Sequence, residues 1–414
     1  MNTIHHNYRP RPQRLPLTGG TIDFSDQEGL AVTMALLDGA ELPPVEGNAA
    51  EAFVGITTDG HRLPGLFELA DEDAPGPQAV DAARHYLNQL SAPERARAVL
   101  PIDAAEWRLW TNAFLTFPEH GLRLADLTAP GRAAALSVVE ASLSDTGYRR
   151  LREAMRLNAE LGQLTGKYPD TLTEDCYWFT LFGQPAPEQP WGWQLLGHHI
   201  DLHALFIGTQ LVLTPTFLGV EFDGQILFAE HRRRAIELMD SLGTRQRDRA
   251  LLYGSMLSSQ LPPQLAGIVD GRHRAGAGRD NIVLPYSGLP GQDLSAGQRE
   301  LLLALADPYL DSLPAGPRAH RRRHIEKYID QTHLAWIGTS DPNAPFYYRL
   351  HSPVVLIEYD NHAGIFLEND EPEPYHVHTI VRTPNGGDYG KDLLRQHYHH
   401  HHHTMSHTPR DKQG

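Results

Sequence analysis

The chain has 414 residues, enough for two or three average domains or one large one with insertions. Its 36 Lys and Arg against 51 Asp and Glu leave a formal charge of −15, which argues against nucleic acid as a partner. Hydrophobic content of 41% with 21% charged residues is ordinary for a soluble globular protein, and a single cysteine, Cys176, excludes an internal disulfide and any Cys-rich zinc or iron–sulfur site.

Residues 1–20 are polar and Pro-rich and predict a disordered arm; they lack the apolar core of a signal peptide. No apolar run approaches membrane-spanning length, so a soluble, cytoplasmic protein is expected, with no membrane partner. Residues 26–37 have helical spacing, with Leu30, Met34 and Leu37 on one face. The run at 52–69 reads as a β-hairpin turning at Asp59-Gly60. A helix is expected over 77–90, and the Ser91 to Glu94 stretch opens another with a capping box. Trp107 and Trp110, three apart, read as helix-face core residues. Residues 122–164 are largely helical with breaks near Pro130 and Gly147. Residues 21–165 thus form an expected N-terminal hairpin plus helical layer, ahead of an α+β core over 166–398.

Within that core, 226–256 is again helical, its HRRR run at 231–234 a solvated face. A Gly- and Arg-rich loop follows at 270–292, outside the strand–turn–helix context that a phosphate-binding loop requires. Helices are expected at 294–312 and 316–331. Asp388 is expected to cap a helix starting near Lys391. Residues 399–414 form a His-rich tail, expected to be flexible and able to bind metal adventitiously.

The β-rich stretches are related by an internal repeat. An offset of 155 positions superposes Gly183 on Gly338, Pro187 on Pro342, Pro190 on Pro345, Trp193 on Tyr348, Leu195 on Leu350 and His203 on Glu358. Fourteen further residues after Asp360 align LVLTP at 211–215 with IVRTP at 380–384. The fold class expected is therefore α+β, with a duplicated antiparallel β unit near 177–219 and 333–390 covered by helices. The pseudo-twofold axis offers a way of bringing distant strands together.

Both copies carry acids and histidines inside strands, where apolar side chains are the norm. Alternate residues share a face, so His376 pairs with His378, Glu358 with Asp360, and His199 with Asp201 and His203. Several imidazoles and a carboxylate on facing strands suit a divalent metal ion, Zn, Fe or Cu. The candidate ligands are His199, His203, Glu358, His376 and His378. His199 is preferred to His198, which alternates with the apolar Ile200 and Leu202. Arg349 and Arg382 are candidates to hold an anionic small-molecule substrate, or else to pair with Glu358 and Asp388, and Tyr348 is a candidate pocket residue. The reading that follows is a metal-dependent oxidoreductase or hydrolase acting on a small organic molecule. The alternative is a non-catalytic binding or structural protein with a hydrogen-bonded polar core.

The segments at 192–219 and 347–390, with ITTDGHRLPGLF (56–67), EWRLWTN (106–112) and HGLRLADL (120–127), resemble the domain-of-unknown-function 3500 family of bacterial and fungal proteins. The resemblance implies no particular reaction. It does imply an Asn where this chain has His203, within Gly197, His198, His199 and Leu202, and a His where this chain has Phe346, ahead of Tyr347, Tyr348 and Arg349.

Overall fold

The computed structural model describes residues 8–10, 45–112, 120–166, 168–267 and 271–405, the last five by backbone alone. The helix expected at 26–37 lies outside these residues. In chain order the elements begin with α1 (Val45–Ala50), α2 (Gly76–Gln89), α3 (Ala92–Ala98), β1 (Val99–Leu100), β2 (Leu122–Arg123), α4 (Ala129–Ser142) and α5 (Asp145–Thr165). Strands β3 (Tyr177–Phe182), β4 (Trp191–Gly197), β5 (Ile200–Ile207), β6 (Gln210–Val212) and β7 (Thr216–Val220) follow, then α6 (Gly224–Leu227), α7 (Ala229–Ser241) and α8 (Thr244–Ala250). The second half holds β8 (Leu251–Tyr253), β9 (Leu289–Pro290), α9 (Ala296–Leu310), α10 (Ala315–Lys327), β10 (His333–Gly338), β11 (Phe346–His351), β12 (Leu356–Asn361), β13 (Val377–Arg382) and α11 (Lys391–Met405).

The protein is α+β, and among the described residues 13 strands form one sheet whose main path runs β1-β3-β4-β5-β7-β13-β12-β11-β10-β8, with β2, β6 and β9 off it. That order is a palindrome of two copies. β3-β4-β5-β7 mirrors β10-β11-β12-β13, and each copy ends in a parallel edge strand, β1 on β3 and β8 on β10. The copies meet along the antiparallel pair β7–β13, with Phe217 opposite Ile380 and Gly219 opposite His378.

The duplication reaches further upstream than the β units alone. Helices α2, α3, α4 and α5 recur as α7, α8, α9 and α10, so the two helical layers are the two copies' own helices. Small contacts recur with them. Arg95 donates to the carbonyl of Leu87 and Arg247 to that of Met239; Trp193 bonds Ser142 where Tyr348 bonds Tyr309. Gly121 and Gly288 both have positive φ, and a Cβ on either would meet the carbonyl oxygen of Phe179 or of Leu334, one the 155-position equivalent of the other.

Caps explain where the helices begin: Ser91 and Ser295 form capping boxes with Glu94 and Gln298, while Thr128 and Ser144 accept from Gly131 and Gly147. Strand parity then sorts the sheet into two faces. Trp193, Leu195, Ile200, Leu202, Leu218, Tyr348, Tyr359 and Val377 point into the large core under the helices. The alternate positions point the other way, where Leu196, Leu205, Phe217, Ile380, Trp107, Trp110 and Tyr389 make a smaller cluster. Trp107 and Trp110 are core residues, as expected. Among the described residues no helix is long and apolar enough to cross a membrane.

Two expectations are corrected. The 52–69 run makes no hairpin, because its backbone partner is not its own return: Thr57 donates to Ile282 and accepts from Leu284, while Ile56 accepts from Asn385. The 211–215 and 380–384 segments are not equivalent, since Asp201 opposes Phe217 while its counterpart Leu356 opposes Arg382; Leu213 lies in the break between β6 and β7. Helix α11 runs through His399 to Met405, and the rest of the expected tail lies outside the described residues. Residue 165, the expected domain boundary, is the end of α5 inside the first copy.

Replacing Gly288 by Ala places a Cβ 2.0 Å from the Leu334 carbonyl oxygen at a φ of +92°, and should cost about 2–4 kcal/mol. Gly297 in α9 has open space around it, and Ala there should add about 0.5–1 kcal/mol. Urea midpoints of the two variants test both signs; equal midpoints would contradict the backbone contact.

A candidate metal centre at the seam between the two copies

The polar face of the sheet carries Gln194, Asp201, His203, Glu221, Tyr347, Arg349, Glu358, Asp360, His376, His378 and Arg382, all buried. Burying such groups is costly unless each has a partner, so the partners tell what each residue does.

His199, His376 and His378 converge. Their Nε2 atoms form a triangle with sides of 2.9 Å (His199–His378), 3.0 Å (His376–His378) and 3.4 Å (His199–His376). His376 and His378 lie at the start of β13, and His199 sits across β7 in the two-residue turn joining β4 to β5. Gly219 is the reason they can meet: its N–H donates to the His199 carbonyl, and a Cβ there would stand 2.9 Å from His378 and 3.3 Å from His199. His199 has a φ of +66°, a left-handed conformation that costs a non-glycine residue energy and persists where tertiary contacts hold it. His199 is thus brought in by the turn and not by the strand alternation that selected it.

Burial holds all three imidazoles well below their usual pKa, with neighbouring histidines adding to the effect, so all three are neutral near pH 7. Each Nε2 then carries either a proton or a lone pair. Among three nitrogens two must be in the same state, so hydrogen bonds alone leave at least one pair in close repulsion. These separations are short enough for one ion to be held by all three nitrogens at the usual metal–nitrogen distance of about 2.0–2.1 Å.

Other residues support this cluster. His198 stacks on His199 at 3.9 Å and is held by Asn158 of α5 through its Nδ1, 2.7 Å away. His362 stacks on His378 at 4.5 Å, with its Nδ1 3.3 Å from Asp360. Sequence reasoning missed His362, Asn158 and Gly219. His362 follows Glu358 and Asp360 at strand spacing and could have been found by parity; Asn158 and Gly219 carry no local signal.

The remaining candidates are placed elsewhere. His203 donates from Nδ1 to the Pro215 carbonyl at 2.8 Å, and its ring lies among Trp110, Tyr389 and Trp107. Glu358 accepts from the backbone N–H groups of Arg274 and Ala275 and from Tyr347 Oη, a satisfied carboxylate that clamps the 271–280 loop to the sheet. Tyr348 points to the opposite, helix-covered face, where it bonds Tyr309. Arg382 gives Nε to Asp388, Nη2 to Asp280 and Nη1 to the Ala275 carbonyl, so all three of its nitrogens are engaged within the protein. Asp388, expected as a helix cap, is this arginine's partner. Arg349 reaches Ser287 and Tyr347 instead of Glu358. Asp201 shares the face of His203, and burial holds its carboxyl well above the usual range, as a neutral acid. Glu221 accepts from the N–H groups of Ile365, Phe366 and Leu367, and burial pushes it up to about 7.

Two predictions follow from these partners. Arg382→Met strands Asp388 and weakens the hold on Asp280, and should cost about 3–5 kcal/mol in denaturant unfolding. Buried histidines such as His203 and His351, held down at about 3, take up protons only on unfolding. The unfolded chain therefore binds more protons below about pH 6.5, and each such histidine costs up to about 1.4 kcal/mol per pH unit of acidification. Asp201 and Glu221 act in the opposite sense and offset part of this. Urea midpoints should fall between pH 7.5 and 5.5; an unchanged midpoint would count against neutral buried imidazoles.

No curated protein and no solved structure matches the chain. The family model described as "Protein of unknown function (DUF3500)" matches residues 72–391, which takes in both copies from α2 to the start of α11. With the repeated β units and the histidine-bearing seam inside that match, the chain belongs to the DUF3500 family.

Proposed function

We propose that this chain is a metal-dependent enzyme in which His199, His376 and His378 hold one divalent transition-metal ion through Nε2 and present it to a small organic substrate for hydrolysis. The observation that carries the reading is the triangle of neutral nitrogens, which one ion satisfies and hydrogen bonds do not. Three protein ligands with an open side are the pattern of catalytic zinc sites, whereas structural sites close with four. Three imidazoles without a carboxylate favour zinc, and next copper, over the two-histidine, one-carboxylate set of non-haem iron. An ion held by these three imidazoles would supply Lewis acidity to a water or substrate oxygen.

The protein's own groups do the rest. Asn158 and His198 fix the plane of His199, and Gly219 keeps the space between the rings clear. His362, hydrogen-bonded to Asp360 and stacked on His378, is the imidazole placed beside the ligands to relay a proton. The non-catalytic reading draws its support from Glu358 and Arg382, whose partners are all internal. A reducing cytoplasm suits the buried free thiol of Cys176.

Elemental analysis of the full chain with His399 to His403 replaced by glutamine tests the assignment without the adventitious sites of the tail. About one equivalent of zinc is expected, falling below roughly 0.1 equivalent in His378→Ala and retained in Glu358→Gln. Substoichiometric metal that reconstitution with zinc, copper or iron does not raise would sink the reading. Selective uptake of copper or iron would move it from hydrolysis to redox chemistry.

A further inference from the structure

We propose that the protein has a second binding site, for a small amphipathic carboxylate, in a cavity at the opposite end of the β7–β13 ladder from the histidine cluster. The cavity has a volume of about 310 Å³, within the range of small-molecule pockets. It lies against the helix-covered face of the sheet, bounded by α10, the 65–68 segment and the Thr216 and Val381 end of the central strands. Its floor is apolar, formed by Leu213, Leu313, Pro317, Val381 and Leu393. One wall is cationic, and there Arg321 is the residue that asks for a ligand.

Arg321 gives its Nη2 to the Val354 carbonyl at 2.8 Å and to Thr383 Oγ1 at 2.9 Å, both neutral acceptors. No described carboxylate closes an ion pair with it. Glu72, also on the wall, is engaged by Gln210 at 2.8 Å and faces His320 at 3.6 Å. Glu68 lines the cavity too, and Arg323 and Lys327 stand exposed at its rim. Arg321 is half-buried, and the cost of that desolvation draws its pKa down to about 10 although Asp388, held by Arg382, and Glu72 pull the other way. An anion in the cavity offsets that cost with a charge-assisted hydrogen bond to Nε or Nη1. The apolar floor offers nothing to a bare inorganic anion and a good deal to a hydrocarbon body. Together they select a molecule with a carboxylate at one end and a short apolar body behind it.

The site does not depend on the metal reading. Arg321 approaches the turn at Val354, the 155-position equivalent of His199, so the two copies have diverged to put an imidazole in one turn and an arginine against the other.

Isothermal titration of the full chain with octanoate, octanol and inorganic phosphate tests the proposal. Octanoate should bind at least about tenfold more tightly than either comparator, because each lacks one of the two complementary parts. Arg321→Met should weaken octanoate by about tenfold or more, and Leu313→Trp, which fills the floor, should abolish binding. If Arg321→Met fails to fold, the Leu313→Trp result decides alone. Octanoate that fails to bind, binds no better than octanol, or binds Leu313→Trp as well as the parent chain overturns the site. The last outcome would place the carboxylate elsewhere, including at the histidine cluster.

Discussion

The whole architecture rests on five residue pairs. Val220 to Thr216 on β7 run against Val377 to Val381 on β13, and among the described residues this is the ladder by which the two copies share a sheet. A central strand bonds both neighbours and is covered on both faces, so it has no exposed edge and little tolerance for misplaced side chains. Here one of those positions, Gly219, has no side chain at all. That gap lets the turn before β5 and the start of β13 approach each other, and it places three imidazoles from two copies of one ancestral unit on a common point.

A sheet with one polar face must find partners for every group it buries. The chain supplies several of these partners with a loop instead of a second layer of helices. The 271–280 segment lays its backbone N–H groups on Glu358 and Asp360 and its Ala275 carbonyl on Arg382, and Asp280 closes the network to Arg108 and Asn48. This explains why acids and an arginine occur in mid-strand without being ligands. They fasten an irregular loop where an apolar cover would otherwise be required.

The two copies have diverged unevenly. Where only packing is at stake, equivalent contacts persist with altered chemistry, as in Trp193 with Ser142 and Tyr348 with Tyr309. Where polar groups are buried, equivalence is lost: His203 stands in a cage of aromatic rings, while its counterpart Glu358 binds a loop. The three converging histidines lie at one end of the β7–β13 ladder only.

Sequence alone determined the class, the repeat, most helix bounds and the histidine pair on β13. Each of these rests on short-range physics: caps, turn residues, strand parity and a repeat that survives as residue identity. It also singled out His199, although the reason was a turn with positive φ and not alternation. What it could not decide was which polar strand residues share a point. Parity assigns a face but no partner, so Glu358, Arg382 and His203 were indistinguishable from His376 and His378 until the loop at 271–280 and the Trp110 cluster were in place. Gly219 and Asn158 carry no chemical signal of their own. Their roles come from what lies beside them in space, His378 on another strand and the turn at His199 for Gly219, and His198 for Asn158, and only the assembled sheet supplies that.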